Sequence, residues 1–354
     1  MSARRAVGLD IGTSGVRAAQ LQFGKGGVTL ERFGQVALPV GAVRDGEVAD
    51  AATVTAAIKE LWAQAKFTTK KVNVGVANQK VVVRQVDLPW MPLPELRSSL
   101  PFQVQDVIPI PVDQAILDVH PLEEVTSDAG ARLQRVLLVA ASRDMIDGTM
   151  TAVTGAGLQP TIIDLTPFAV LRSLAQPDFL GLADHAEALV DVGASVTNII
   201  VHQGGVPRFV RILLLGGNDI TEAVAERMGV PVEQAESVKQ QMGMPEDVVS
   251  AGAHPASRVL EAAGSGWVEE VRGSLDYYMA QTGSARISRI VLSGGAGQLR
   301  GLANRLSLAT RLPVVPGTPM QRLAIGKTGL SPEQLQYIEP LVTVPVGLAL
   351  GVAA

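Results

Sequence analysis

The first strand of the chain leads into the stretch Asp10-Ile-Gly12-Thr13-Ser14, which combines a carboxylate, a glycine and two hydroxyls. Glycine lets the backbone approach a phosphate closely, and successive N–H groups in such a turn form an anion-binding concavity. The hydroxyls could add hydrogen bonds, and Asp10 could hold water molecules around Mg²⁺. Taken alone, the stretch predicts either an ordinary hairpin turn or one half of a nucleotide clamp.

A second copy of this pattern lies far along the chain, where Asp191, Gly193, Ala194 and Ser195 follow an apolar run and Thr197 opens the next one. Self-similarity of this kind predicts two structurally related halves. Two facing hairpins could grip a polyphosphate from both sides, with one carboxylate from each half beside Mg²⁺. The second copy therefore favours the clamp over the plain turn.

A third glycine-rich stretch follows the apolar strand Ile290–Ser293. Gly294, Gly295 and Gly297 precede a helical segment, which places backbone N–H groups and a helix N-terminus where a nucleotide could dock. An ordinary strand-turn-helix connection would look the same. The order of all three stretches is what makes a nucleotide site the better prediction.

Composition limits the remaining possibilities. With 354 residues, 47% of them hydrophobic and 18% charged, the chain can bury a sizeable core and should form more than one lobe. The formal net charge is -4 and the basic residues are scattered, so no nucleic-acid surface is expected. The absence of cysteine excludes disulfides and thiolate metal sites, and fits a reducing cytoplasm.

Neither end of the sequence predicts a membrane segment. The stretch around Arg4 and Arg5 has too few apolar residues for a signal sequence. The apolar run 341–354 is shorter than the roughly 20 residues that cross a bilayer, and it lacks a charged face. We expect it to form a buried helix.

The three glycine stretches, in this order, resemble those of the actin-like ATPase superfamily, which includes sugar kinases, DnaK-type chaperones, actin and FtsA. The resemblance implies an α/β protein of two lobes, each a mixed sheet flanked by helices, with ATP and Mg²⁺ between them. It assigns Asp10 and Asp191 to the metal. The nucleotide-binding residues that it implies are Asp10, Gly12, Thr13, Ser14, Arg17, Asp191, Gly193, Ala194, Ser195, Thr197, Gly216, Gly217, Glu236, Lys239, Gly294, Gly295 and Ala296.

Two further pairs of residues carry the resemblance into the second lobe. Family members place an acid and a lysine on a helix near the nucleoside, and Glu236 and Lys239 fit that role. An ordinary i,i+3 ion pair on a solvated helix explains them equally well. Gly216 and Gly217 would begin another helix, capped by Asn218 or Asp219.

The predicted elements divide the chain as this fold requires. The first lobe takes residues 1–79 and 158–184, and the second takes 185–215 and 286–354 with a subdomain at 216–285. Residues 80–157 form a small inserted α/β subdomain of strand, helix, two strands and helix. In the closing helix, Gly347 and Gly351 would let the lobes approach closely at a hinge.

The insertion resembles that of FtsA and, more specifically, of the PilM family of type IV pilus proteins. The segment LPFQVQDVIPIPVDQAILDVHPL has the family's helix, proline-apolar-proline turn and strand, although Pro101 predicts a kink or late start in a helix over 94–107. FtsA ends in a membrane-binding helix, which this sequence lacks. PilM reaches the membrane through a partner instead, which favours the PilM family.

Membership of the PilM family implies a cytoplasmic adaptor at the inner face of the membrane. It would bind the N-terminal peptide of a PilN-like membrane protein and contact other pilus platform or motor components, with self-association left open. An apolar groove that takes a short peptide is a familiar recognition mode. The candidate groove residues are Leu88, Trp90, Met91, Leu93, Phe102, Val104 and Ile108. Trp90 and Met91 are favoured because prolines flank them; any of the others could equally be core.

Hydrolysis would need a polar group that orients water toward the phosphate. Asp164 or Thr166 could do so, but Phe168 stands near the place where actin has a glutamine, so we expect tight binding and slow or negligible turnover. Two alternatives remain: a small-molecule kinase of the same superfamily and a filament-forming FtsA-like protein.

Overall fold

The computed structural model describes residues 4–175, 185–245, 255–281 and 283–351, which contain sixteen strands and ten helices. The strands are β1 (Arg4–Ile11), β2 (Gly15–Gly24), β3 (Gly27–Ala37), β4 (Val43–Arg44), β5 (Glu47–Val48), β6 (Lys71–Val76), β7 (Val82–Pro89), β8 (Ala115–Thr126), β9 (Arg132–Ser142), β10 (Gln159–Leu165), β11 (Ala186–Val192), β12 (Thr197–Gln203), β13 (Val206–Leu213), β14 (Ile287–Ser293), β15 (Val314–Pro316) and β16 (Leu323–Ile325). The helices are α1 (Ala51–Ala65), α2 (Leu93–Gln103), α3 (Arg143–Gly155), α4 (Thr166–Leu174), α5 (Gly217–Met228), α6 (Val232–Met242), α7 (Pro255–Met279), α8 (Leu302–Thr310), α9 (Pro332–Ile338) and α10 (Thr343–Leu350).

Two mixed sheets form the centres of two lobes and share one topology. In the first, the order is β10-β6-β1-β2-β3-β16; in the second it is β13-β12-β11-β14-β15. Each begins with an antiparallel meander, and each then adds parallel strands beside the first strand of that meander. The predicted α/β class and the internal repeat are therefore confirmed.

Local chemistry explains where the first helix begins and ends. Asp50 caps α1, since its Oδ1 accepts hydrogen bonds from the N–H groups of Ala52 and Thr53, and Lys66 closes the helix in the left-handed conformation. Ile58 and Leu61 are buried one turn apart on the face that packs on the sheet. Its start is therefore determined by a side-chain cap, and its orientation by one apolar face on the sheet.

The insertion consists of the three-stranded sheet β7-β9-β8 covered by α2. Of the two predicted effects of Pro101, a kink or a late start, the late start is wrong, and so is the predicted end at 107: α2 begins at Leu93, ends at Gln103 and carries Pro101 in its last turn. Helix α3 also departs from expectation, because its Ala152 and Val153 lie in the core of the first lobe, beside α1. Since α2 already covers the apolar face of the insertion's sheet, α3 buries its own face elsewhere. The other predicted subdomain boundaries stay predictions.

Helix α10 is the buried terminal helix that the sequence predicts. It lies between the lobes, packed on β1 and on α4, and α4 in turn contacts β11 and β12 of the second lobe. A Cβ at Gly347 would lie 1.8 Å from the carbonyl oxygen of Ala169, so only glycine fits where α10 crosses α4. A Cβ at Gly351 would meet its nearest atom, in Arg172, at 3.4 Å, so this glycine is not required for the crossing.

Several predictions concern residues that fall partly outside the described ranges. The turn-rich linker predicted at 175–187, the helix break predicted between Gly243 and Pro255, and the last residues of the terminal run belong to this group. Among the described residues, none of the helices combines the length and the apolar character needed to span a membrane.

Candidate functional site

A cavity with a volume of about 820 Å³ lies between the two lobes in the described part of the chain. Most of the predicted nucleotide-binding residues line it. They are Asp10, Gly12, Thr13, Ser14, Arg17, Asp191, Gly193, Ala194, Gly216, Gly217, Glu236, Lys239, Gly294, Gly295 and Ala296. A cleft of this size can enclose a drug-sized ligand such as a nucleotide.

The two predicted hairpin turns have the same geometry. In the first, the N–H of Gly12 donates to the carbonyl oxygen of Gly15 at 3.0 Å. In the second, the N–H of Gly193 donates to the carbonyl oxygen of Val196 at 2.8 Å. Each turn joins a strand that ends in the cleft to the next strand of a meander. The sequence repeat is thus a repeat of one turn, presented by each lobe to the same cavity.

A carboxylate ends each of these strands, and both are held in an unfavourable environment. Desolvation raises the pKa of Asp10 to about 6; Arg17, whose Nη1 lies 3.8 Å from the Asp10 Oδ2, opposes the shift, and the charge of Asp191 adds to it. Burial also raises the pKa of Asp191, opposed by the hydroxyl of Ser293, which donates to its Oδ1 at 2.6 Å. Two acidic groups that are costly to ionise face one cavity, as expected of a cation site.

Two buried polar atoms near these carboxylates have no partner. They are the Nε of Arg17 and the Oδ1 of Asn198. Arg17 pairs with Asp10 across the first hairpin, and Asn198 pairs with Asp191 at the corresponding position of the second. Orphaned buried donors and acceptors are costly, so they fit a polar ligand such as a phosphate or a hydrated Mg²⁺.

Sequence reasoning did not single out Asn198. The signal that could have found it is the register of the hairpin, because the residue opposite Asp191 also points to the cleft, as Arg17 does opposite Asp10. Side chains that face each other across an antiparallel pair lie on the same side of the sheet. Ser293, which hydrogen-bonds Asp191, was missed for the same reason.

Close backbone packing brings the remaining glycine stretches to the cleft. A Cβ at Gly216 would lie 2.6 Å from the carbonyl oxygen of Gly193, so this glycine seats the second hairpin against the start of α5. Gly294 has φ +87° and a Cβ there would lie 2.3 Å from the carbonyl oxygen of Val192. Both positions therefore require glycine. At the start of α5, Asp219 accepts from the N–H of Gly216 at 2.7 Å and supplies the predicted cap.

Glu236 and Lys239 form the predicted i,i+3 ion pair, with 2.7 Å between Oε2 and Nζ. The pair is not on a solvated face: Lys239 is buried and donates to the carbonyl oxygen of Gly217 at 2.9 Å and to Thr221 at 2.7 Å. Burial opposes ionisation of Glu236, but hydrogen bonds from Lys239 and Thr221 lower its pKa overall. The lysine thus ties α6 to the start of α5 while the pair lines the cleft.

Ser195 and Thr197 are placed differently from the prediction, since neither lines the cavity. Thr197 is fully buried; its Oγ1 donates to the carbonyl oxygen of Leu215 at 2.7 Å and accepts from the indole N–H of Trp267 at 3.1 Å. The hydroxyl of Ser195 accepts from Asn218 at 3.2 Å. Both hydroxyls brace the second hairpin because the turn points its backbone, rather than these side chains, at the cleft.

Substituting Thr197 by valine tests this assignment. The change keeps the side-chain shape but leaves the carbonyl of Leu215 and the indole of Trp267 without a partner, so we expect a loss of about 1–3 kcal/mol in the free energy of unfolding. Nucleotide affinity should change less than threefold, about 0.7 kcal/mol. Chemical denaturation and calorimetry with ATP measure the two quantities, and Ser195→Ala, which removes only the contact of a half-buried hydroxyl with Asn218, is the comparison and should cost less stability. Loss of affinity without loss of stability would return Thr197 to the binding residues.

Of the two candidate residues for orienting water, only one lines the cavity. Asp164 does not line the cavity and instead forms an ion pair with Arg172, whose Nε donates to the carbonyl oxygen of Gly347. Thr166 does line it, at the first residue of α4. Asp164 is therefore a structural residue of the α4–α10 contact.

The candidate peptide-binding residues divide by burial. Leu88, Val104 and Ile108 lie in the core of the insertion, where they pack against its sheet and helix. Leu88 faces inward from β7, and Val104 and Ile108 lie just after the end of α2, where the chain turns back over the sheet; all three are buried and hold the insertion together. Phe102 has 80% of its surface exposed, and Leu93 is also exposed.

Trp90 and Met91 are held by neighbouring polar groups. The indole N–H of Trp90 donates to Glu124 at 2.9 Å, and the guanidinium of Arg132 stacks 3.8 Å from its ring centroid. The hydroxyl of Ser99 lies 3.4 Å from the sulfur of Met91. Trp90 is 38% exposed, so it presents one edge of its ring to solvent beside α2.

Comparison with known proteins supports the sequence-based prediction. The family model described as "Type IV pilus assembly protein PilM" matches residues 8–352. A solved structure described as the "PilM-PilN type IV pilus biogenesis complex" has a TM-score of 0.85 and 29% identity, covering 99% of this chain and 98% of that one. Cell division protein FtsA of Bacillus subtilis (strain 168) is 27% identical over 261 residues, covering 67% of this chain; the chain spans 58% of the length of that FtsA.

A more distant structure shares the fold. MreB 5 of Spiroplasma citri, described as bound to AMPPNP, has a TM-score of 0.53 and 13% identity, covering 97% of this chain and 94% of that one. This likeness and the two-lobed repeat confirm the predicted actin-like ATPase fold. Because the family match extends over nearly the whole sequence and includes the insertion, the chain belongs to the PilM family of type IV pilus assembly proteins.

Proposed function

We propose that this protein is a nucleotide-binding adaptor of the type IV pilus assembly platform, located at the cytoplasmic face of the inner membrane. Its cleft binds ATP with Mg²⁺, and its insertion binds the N-terminal peptide of a PilN-like membrane protein. The observation that carries the nucleotide part is the pair of identical turns, closed by Gly12 and Gly193, that face one cavity.

The residues of the cleft fit a magnesium-bound nucleotide. Asp10 and Asp191 would hold the waters of the metal, since both carboxylates face the cavity and carry raised pKa values that a cation would relieve. Arg17 and Asn198 have buried unpartnered atoms for phosphate oxygens or bound waters. Bound Mg²⁺ would offset the negative charge of the phosphates.

The base and sugar would lie on the second-lobe side. The glycine turn from Gly294 to Ala296 lines one wall there, and α6 with Glu236 and Lys239 lines the other. The turn approaches the cleft with backbone rather than bulky side chains, which leaves room for a flat ring.

The first-lobe residues at the cleft favour slow or absent hydrolysis of ATP. Thr166 is a weak means of orienting water, and Asp164 is paired with Arg172 away from the cavity. A small-molecule kinase would need a general base beside the phosphates, and the ion pair with Arg172 makes Asp164 unsuitable for that role. A scaffold whose shape depends on a bound nucleotide is therefore favoured over an enzyme.

The proposed binding of a partner peptide is supported by membership of the PilM family and by exposed apolar residues on the insertion. One structural relative, at 29% identity, is described as a PilM-PilN complex. In this chain, the α2 surface, formed by Trp90, Met91, Leu93 and Phe102, exposes apolar groups next to a buried core. A short apolar peptide could cover such a surface.

Two calorimetric titrations test the proposal. ATP with Mg²⁺ is titrated first into the full chain, and a synthetic peptide with the first residues of the cognate PilN-like protein is titrated next. We expect both to bind, and we expect Asp191→Ala to abolish the first titration while leaving the second. Absence of ATP binding to the unmodified protein would overturn the nucleotide part, and absence of peptide binding would overturn the adaptor part.

Substituting Phe102 by serine should weaken the peptide titration about tenfold or more, because Phe102 is the most exposed aromatic ring of the α2 surface and buried aromatic residues contribute strongly to binding. Since the ring is exposed, the thermal unfolding midpoint should stay unchanged. Leu308→Ser is the matched control: Leu308 is 67% exposed on α8 of the second lobe, far from the insertion in the chain. Equal peptide affinity in the Phe102 and Leu308 variants would exclude the α2 surface as the docking site.

A further inference from the structure

The insertion contacts the second lobe through an ion pair. Glu123 on β8 lies 3.3 Å from Arg208 on β13, measured from Oε1 to Nη1. Arg208 also has a buried Nε without a partner, and its guanidinium lies near Tyr278. The pair therefore joins the subdomain that is proposed to bind the peptide to the lobe that carries the second nucleotide hairpin.

This pair ends a row of alternating charges across the insertion's sheet. Arg135 on the central strand β9 contacts Asp87 on β7 at 2.7 Å and Glu123 on β8 at 3.5 Å. Asp87 and Glu123 are its cross-strand neighbours in the register of the sheet. The contact with Arg135 already restricts the side chain of Glu123. Pairing with Arg208 therefore costs less side-chain entropy than forming an isolated surface ion pair does.

An apolar contact accompanies the ion pair. Val83 on β7 packs against the buried cluster that includes Val210 of β13, and the two strands lie in contact. Strand β13 is the edge strand of its sheet and β7 is an edge strand of the insertion's sheet. The two edges thus meet through side chains, and the described strands form no ladder of backbone hydrogen bonds across this boundary.

Strand β13 connects this boundary directly to the nucleotide cleft. Ile212 on β13 pairs in register with Asn198 on β12, and Asn198 lines the cavity opposite Asp191. A shift of the second hairpin toward a bound phosphate would therefore carry β13 with it, since the strands of one sheet move together. The same shift would change the distance between Arg208 and Glu123.

We propose that the Glu123–Arg208 pair, together with the contact between β7 and β13 at Val83, is a latch that couples nucleotide binding in the cleft to peptide binding on the insertion. This regulation rests on the proposed function. Each ligand favours the arrangement in which the pair is closed, so the peptide strengthens ATP binding and, by thermodynamic reciprocity, ATP strengthens peptide binding. An exposed ion pair limits the effect to about threefold to fivefold.

A double-mutant cycle on the full chain tests the latch. ATP affinity with Mg²⁺ is measured by calorimetry, with and without a saturating synthetic peptide of the PilN-like N-terminus, in Glu123→Gln, Arg208→Gln and the double variant. We expect the peptide to tighten ATP binding threefold to fivefold in the unmodified protein and by less than 1.5-fold in all three variants. Arg272→Gln, which breaks an ion pair within α7, should keep the full coupling.

The outcomes separate the latch from the proposed function. Failure of the peptide or of ATP to bind the unmodified protein refutes the proposed function. If both bind but neither changes the affinity of the other, or if the coupling survives in Glu123→Gln and Arg208→Gln, the latch is wrong while the adaptor role stands. Amide hydrogen exchange gives a second readout: peptide should slow exchange along β13 in the unmodified protein and not in the Glu123→Gln variant.

Discussion

Replacing Asp10 by asparagine should stabilise the ligand-free protein and at the same time weaken binding of ATP with Mg²⁺ by about 10- to 100-fold. The two effects have one cause. Burial in the cleft removes water from the carboxylate of Asp10, and the charge of Asp191 lies nearby. Both effects disfavour the ionised form and raise the pKa of Asp10 from 3.8 to about 6. A neutral amide avoids that cost but does not hold the waters of a divalent cation as strongly.

The direction of the pH dependence follows from the raised pKa of Asp10. The folded protein binds this proton more tightly than the unfolded chain does, so the contribution to folding is fully present below pH 3.8 and is lost as the pH rises through about 6. The loss is about 2–3 kcal/mol. Binding of Mg²⁺ has the opposite trend, since the cation competes with the proton and should bind less tightly below pH 6.

Chemical denaturation between pH 4 and 8, with calorimetry at each pH, measures both quantities for the unmodified protein and the Asp10→Asn variant. The variant should unfold with a higher midpoint at pH 7 and with a flatter pH profile. Asp276→Asn, an exposed acid on α7, is the control and should change neither quantity. Unchanged ATP affinity in Asp10→Asn would remove Asp10 from the metal site, and an unchanged denaturation midpoint would contradict the desolvation argument.

Replacing Gly347 by alanine should prevent folding or reduce the free energy of unfolding by more than about 4 kcal/mol. A Cβ at this position would lie 1.8 Å from the carbonyl oxygen of Ala169 and 2.4 Å from its carbonyl carbon. Both contacts are with backbone, which cannot move aside as a flexible side chain can. Helix α10 would have to move away from α4, and its contact with β1 depends on a second glycine, Gly8.

Circular dichroism and calorimetric unfolding of purified Gly347→Ala measure this loss. Two controls separate sterics from the ordinary effect of removing a helical glycine. Gly273→Ala on α7 has no atom within 4 Å of the new Cβ and should gain about 0.5–1 kcal/mol. Gly351→Ala meets Arg172 at ordinary contact distance and should be close to neutral. A stable Gly347→Ala variant would show that the crossing of α4 and α10 can open.

The sequence predicts the fold well because two features of it are strictly periodic or strictly repeated. Alternating and continuous apolar runs predict the strands of both meanders, and the Asp-x-Gly repeat predicts that two lobes present the same turn. The shared closing hydrogen bonds of Gly12 and Gly193 follow from that repeat. Patterns of this kind depend on local backbone geometry, which neighbouring residues determine.

The predicted and observed positions differ where a side chain could turn in either of two directions. Thr197 opens β12, and only the tertiary position of Trp267 and Leu215 determines that its hydroxyl points away from the cleft. Asp164 lies near the end of β10, as Asp10 lies near the end of β1. Asp164, however, forms an ion pair with Arg172 on α4 and does not line the cleft. These partners are distant in the chain or on another element, so no local pattern predicts them.

The surface of the insertion shows the same limit. An apolar residue such as Leu88 or Phe102 has the same hydrophobicity in either environment, and the sequence predicts only that both belong to the insertion. The sheet buries Leu88, whereas the last turn of α2 leaves Phe102 exposed. Which apolar residues form a surface depends on how α2 is rotated over its sheet.

The position of α10 between the lobes has a consequence for biosynthesis. The helix that covers β1 comes from residues 343–350, and β16, which adds the edge of the same sheet, comes from residues 323–325. A nascent chain on the ribosome therefore exposes the apolar face of β1 until residues 343–350 have been translated. During that interval the exposed face is open to aggregation, and we expect a fragment that ends before residue 343 to aggregate.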